Sequence, residues 1–148
     1  MNATANQRRQ GLAPNILLVS AYFPPIVGGT STVVRNLLGA FRPECAQVIS
    51  ELPTFLFGQH NAEPPPGIEV QRVGLPACLK KIPYLNKYLR WGRFLMIPRV
   101  RNLIIRSARR TAPQYIVAVY PSWPFLIAAY QAAAACRIPL ITYYMDAS

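Results

Sequence analysis

"NILLVSAYFPPIVGGTSTVVRNLLGAF", residues 15–41, holds the transition on which the fold turns. Residues 15–20, NILLVS, form a charge-free aliphatic run, the pattern of a strand covered on both faces in a parallel sheet. Pro24 and Pro25 end that strand, because a proline offers no ladder N–H and fixes its own φ. Val33, Val34, Leu37, Leu38 and Phe41 then recur at helical spacing, Thr30 or Ser31 is placed to cap the helix, and Pro43 stops it. Between strand and helix stand Gly28 and Gly29, which lack a Cβ and admit both positive φ and close approach of a ligand to the backbone.

The same alternation continues along the chain. AQVISEL (46–52) reads as a second strand, and the loop GQHNAEPPPG (58–67) follows, with three successive prolines. IEVQRVGLP (68–76) alternates apolar and polar and predicts a third, more exposed strand. Residues 78–112 are basic and mostly helical in pattern. YIVAVY (115–120), a helix from about Pro124 to Arg137, and PLITYYM (139–145) complete the series. Strands and helices in this order predict a parallel α/β sheet of doubly wound type in residues 14–148, after a frayed tail at residues 1–13.

Composition fits one such domain. The chain has 148 residues, 52% of them hydrophobic, and three scattered cysteines with no metal-ligand or disulfide spacing. The run from Thr111 to Cys136 carries no charge, yet Pro113, Pro121 and Pro124 divide it into a strand-sized and a helix-sized piece, so a buried strand and a core-facing helix are expected instead of a membrane span. ILLVSA is too short for a signal-peptide core and runs into Pro24, which predicts a cytoplasmic protein. His60 is the single histidine, so no Ser-His-Asp or Cys-His set is available.

Two regions carry candidate chemistry. In a doubly wound sheet ligands bind beyond the carboxyl ends of the strands, and the Gly28-Gly29 loop lies there, ahead of the free N–H groups of a helix start. The loop matches neither GxGxxG nor a P-loop, so a plain tight turn and a phosphate cradle both remain open; Glu51, near the end of the second strand, is a weak candidate for the ribose-binding acid of dinucleotide folds. Trp123, flanked by prolines after the fourth strand, either packs in the core or presents a ring for stacking.

The other region is charge. Net charge is +11, and 11 of the 16 Lys and Arg residues fall between Arg72 and Arg110, while no acid occurs from Val70 to Met145. In IPRVRNLIIRSARR (97–110), Ile97, Val100, Ile104 and Ala108 share one helical face, interrupted by Arg101. Arg99, Arg106, Arg109 and Arg110 gather on another. That pattern suits a helix lying on an anionic membrane surface and equally a solvated face of a core helix. No RNA- or DNA-binding motif accompanies the charge, and nucleic acid is not expected as a partner.

The stretch ILLVSAYFPPIVGGTSTVVRNLLGAF resembles the opening of the family 4 glycosyltransferases, retaining enzymes of the GT-B fold. GIEVQRVGLP is similar to their third strand, and ACRIPLITYYMD to the helix and strand that end in their His-Asp pair. The similarity covers residues 14–148 apart from 55–66 and 77–112. It implies a Rossmann-like N-terminal domain that holds a glycan or lipid-linked acceptor, and a separate C-terminal domain that binds the nucleotide-sugar, a co-substrate with no further cofactor or metal. By that resemblance Gly28, Gly29 and Thr30 face the donor phosphates, and Asp146 takes the place of the acid in the His-Asp pair. Met145 stands where that histidine would be, and Pro113-Gln114-Tyr115 lacks the acid often found before the fourth strand. Asp146 is otherwise a strand-end or helix-capping aspartate. The resemblance also implies that the donor domain lies beyond Ser148, so that these 148 residues alone, truncated in that sense, transfer no sugar, and that the protein works at the inner face of the cytoplasmic membrane.

Overall fold

The computed structural model describes residues 14–24, 29–51, 66–74 and 92–144. Five strands form one sheet: β1 (Ile16–Ser20), β2 (Ala46–Glu51), β3 (Glu69–Val73), β4 (Tyr115–Val119) and β5 (Leu140–Tyr143), in the order β3-β2-β1-β4-β5 with every pairing parallel. Among the described residues three α-helices connect or flank them: α1 (Gly29–Gly39), α2 (Ile97–Thr111) and α3 (Trp123–Cys136). This is a Rossmann-like α/β sheet, all parallel as the aliphatic strands predict.

β1 is central because it is apolar on both sides, with all five residues buried. Ile16 pairs with Ala46 on one edge and with Tyr115 on the other. Its alternate residues feed two cores. Leu17 and Val19 face α2 and α3, together with Ile49, Ile116 and Ala118. Ile16 and Leu18 face α1, where Val34 and Leu38 meet Val48 and Val119. Helices thus cover both sides of the sheet, which makes it doubly wound.

The uncharged run 111–136 resolves into β4 and α3, as its prolines dictate. Among the described residues no helix is long and apolar enough to cross a membrane. α3 is apolar nearly all round, and packs on the sheet beside α2, burying Phe125, Ala128, Ala129 and Ala132. α2 buries Val100, Ile104, Ser107 and Ala108. Each fully buried Val or Ile of that stripe contributes about 1.5–3 kcal/mol relative to exposure. β3 is the half-exposed edge strand that its alternation predicts.

The start of α1 differs from the sequence expectation. The helix begins at Gly29, so Thr30 and Ser31 sit inside its first turn and do not cap it, and Ser31 is buried. Both α2 and α3 end on a left-handed residue that is not glycine, Ala112 (φ 45°) and Arg137 (φ 56°). The N–H of Ala112 bonds back to the carbonyl of Ala108 at 2.9 Å, which satisfies one of the helix-end acceptors. Asn15 Nδ2 donates to the carbonyl of Thr111 at 2.7 Å, so the C-terminus of α2 is fixed at the amino-terminal end of the sheet.

Candidate functional site

β1 and β4 are neighbours in the sheet, and α1 and α3, which follow them, lie on opposite faces. Their carboxyl ends therefore mark the switch point, the place where open α/β sheets bind ligands. Three groups of residues converge on this end of the sheet.

The first is the β1–α1 loop. Ser20 Oγ donates to the carbonyl of Tyr22 at 2.9 Å, and Ser50 Oγ donates to that of Ala21 at 3.4 Å, so the loop's first residues are held to β1 and β2. Phe23 is fully buried against α1. Gly29 opens α1 without positive φ, and a Cβ added there would meet nothing within 4 Å. Neither strain nor crowding from the described protein requires glycine at 29. What it leaves is open space at a helix N-terminus with no acid in its first turn. Gly28 lies outside the described residues, as do Asp146 and His60.

The second group was only partly legible in the sequence. Glu51 ends β2 where a ribose-binding acid would stand, but Arg93 holds its carboxylate. Arg93 Nε donates to Oε1 at 3.2 Å, and Nη2 forms a salt bridge with Oε2. The Arg93 guanidinium lies 6.0 Å from the centre of the Tyr22 ring. Burial pushes the Arg93 pKa down, but hydrogen bonding and charge from Glu51, with a smaller contribution from Tyr22, outweigh burial and hold it above its ordinary value.

Beside this pair, Arg72 of β3 donates from Nη1 to the carbonyl of Glu51 at 3.4 Å and from Nη2 to the carbonyl of Pro24. Its guanidinium lies 6.0 Å from the centre of the Phe23 ring. Burial lowers the Arg72 pKa, and no carboxylate among the described residues compensates it. The alternation of EVQRV foretells that Arg72 lies on a strand. Nothing local foretells that it and Arg93 meet at Glu51.

The third group follows β4. Trp123, the first residue of α3, is 53% exposed and so does not pack in the core. Its ring meets Tyr120 edge-on at 5.6 Å, and Tyr120 lies 5.4 Å from Tyr144. Trp123, Tyr130, Leu140 and Tyr144 line a shallow apolar groove of about 270 Å³. Ser122 is the N-cap residue of α3, but its side chain makes no capping bond and its buried Oγ has no hydrogen-bond partner.

The basic helix points elsewhere. Arg99, Arg106, Arg109 and Arg110 are all exposed on α2, as expected, but the apolar side of that helix is spent in the core. Val100 and Ile104 are fully buried, so α2 has no apolar face left to press into a bilayer. Arg110 pairs with Glu69 at the first residue of β3, at the amino-terminal end of the sheet and away from the glycine loop. The structure therefore does not unite the basic face with the switch point. Arg101, which interrupts the apolar side, is half-buried, and its Nε has no hydrogen-bond partner.

No family model matches the sequence, and no curated protein matches it.

Proposed function

We propose that the chain is the acceptor-side, Rossmann-like part of a retaining GT-B glycosyltransferase of family 4. The observation that carries this reading is the open space at Gly29, the first residue of α1, beyond the central strand and beside the switch point, where a ligand phosphate would meet the N-terminus of a helix. In the complete reaction the bond between the sugar C1 and the donor diphosphate breaks, an acceptor hydroxyl oxygen bonds to C1 on the same face, and the hydroxyl proton passes to the departing diphosphate. Gly28, Gly29 and Thr30 supply N–H groups toward the diphosphate as it takes up the negative charge. Trp123 supports the reading because its exposed ring, beside Tyr120 and Tyr144, offers a platform for an acceptor sugar. Asp146 is proposed as the acid that the resemblance places after β5.

The activity requires a donor-binding domain, so the test has two stages. Calorimetric titration of the 148-residue chain compares nucleotide-sugars and glycan acceptors with NAD. Tight NAD binding without acceptor binding overturns the reading in favour of a dinucleotide domain. Joined to a donor-binding domain, Gly29→Trp fills the open space and lowers kcat/KM by a factor of ten or more; unchanged turnover removes the loop from the mechanism.

A second reading, peripheral attachment to the inner face of the cytoplasmic membrane, is favoured by the outward arginines Arg99, Arg106 and Arg109. With the apolar side of α2 buried, such attachment is electrostatic and falls off with salt. Equal sedimentation with anionic and neutral vesicles overturns it.

A further inference from the structure

We infer that Arg72 and Arg93 form a receptor for a phosphate group at the carboxyl ends of β1, β2 and β3. The two guanidinium groups come from distant parts of the chain, one from β3 and one from the 3₁₀ turn at Arg93–Met96, and both bind Glu51, one its backbone carbonyl and the other its carboxylate. Two cations and one carboxylate leave this cluster with one net positive charge. The remaining described acids are not available to it. Glu69 is taken by Arg110 at the opposite end of the sheet, and Glu44 is exposed in the turn before β2.

An arginine drawn into the protein without a carboxylate is costly, and among the described residues Arg72 offsets part of its burial with two carbonyl acceptors. Those two bonds engage two of its five N–H groups, and the other three have no partner among the described residues. The rings of consecutive residues lie over the two guanidinium groups, Tyr22 at 6.0 Å from that of Arg93 and Phe23 at 6.0 Å from that of Arg72, at the outer limit of a cation–π contact. A planar fork that is already oriented suits the tetrahedral oxygens of a phosphate, which it binds in pairs. Pro24, whose carbonyl Arg72 holds, belongs to the loop that leads into α1, so a phosphate bound here lies at the switch-point end of the sheet. The inference stands on these contacts and does not depend on the chain being a glycosyltransferase.

The test titrates the 148-residue chain with sodium pyrophosphate by calorimetry at constant ionic strength. Saturable one-to-one binding is expected, weakened tenfold or more in Arg72→Gln, which keeps a donor for the carbonyls and loses the charge. Arg42→Gln, an exposed arginine at the amino-terminal end of the sheet, leaves the affinity within about twofold, since no bound phosphate there is in its reach. Should Arg72→Gln not fold, the wild-type chain still decides the matter by NMR: the Nε–H signals of Arg72 and Arg93 shift with the binding midpoint, ahead of those of Arg106 and Arg109. No saturable binding, an equal loss in Arg42→Gln, or simultaneous shifts of all arginines overturns the inference. Competition with glycerol 3-phosphate identifies the source: displacement at similar concentration marks a single phosphate of the lipid-headgroup kind, and failure to displace marks a diphosphate. Both of these results uphold the site.

Discussion

The two ends of the sheet each carry an arginine–glutamate pair, and the pairs are chemically the same. At the carboxyl end, the side chains of Arg93 and Glu51 are 24% and 6% exposed; at the amino end, those of Arg110 and Glu69 are 55% and 48% exposed. Solvent decides what each is worth. The exposed pair gains little, because water and salt screen it and two long side chains must be ordered. The inner pair is one on which each partner depends, since the loss of either leaves a charge stranded in a poorly hydrated place. Glu51 has a further neighbour in Arg72, which bonds its backbone carbonyl and pairs with no carboxylate among the described residues. The same two residue types therefore hold a site together at one end and decorate a surface at the other.

The sharpest way to break this comparison is Glu51→Ala, which strands Arg93 without its carboxylate partner. A loss of about 3–5 kcal/mol in urea unfolding is expected, and a loss no larger than that of Glu69→Ala would erase the distinction. Next in size is the coupling measured by a double-mutant cycle: Glu51 with Arg93 should exceed about 1.5 kcal/mol, against about 0.2–1 kcal/mol for Glu69 with Arg110. Raising the salt to roughly 1 M, where the Debye length is about 3 Å, sharpens the contrast by abolishing the outer coupling while sparing most of the inner one.

The smallest effect is in pH. Arg110, and then Gln71, hydrogen-bond the Glu69 carboxylate and hold its pKa below the ordinary value. A depressed carboxylate contributes stability that is present above its unfolded pKa and lost as pH falls through its folded pKa. The stability difference between wild type and Glu69→Gln should accordingly be largest at neutral pH and fade in the acid range below the ordinary carboxylate value. A difference that grows on acidification would contradict the assignment.

Much of the fold was legible because it rests on short-range pattern. Leu17 and Val19, or Val100 and Ile104, announce strand and helix through spacing alone, and Pro121 and Pro124 mark the break between β4 and α3. The start of α1 was less so, because Thr30 and Ser31 are good capping residues in isolation and the helix begins ahead of them. The stripe on α2 was legible as amphipathic, yet a stripe does not say whether a core or a bilayer will cover it; α3 and the sheet do. Trp123 was placed at the correct edge by the order of elements, while its exposure depends on what the neighbouring chain leaves open. The Glu51–Arg93 pair was illegible for a plain reason: 42 residues separate its members, and no periodicity links them.

The pairing of β1 also sets a timetable for the molecule's birth. One edge of β1 meets β2 starting 30 residues on, but the other waits for Tyr115, 99 residues after Ile16. At synthesis rates of about 5–20 residues per second, that edge stays unclaimed for roughly 5–20 s. Throughout this interval the most apolar strand of the chain offers one row of free N–H and C=O groups, the state in which strands recruit the wrong partner. The carboxyl end of β1 gains its second neighbour only when β4 arrives, so the candidate site cannot form until β1, β2 and β3 have all been made.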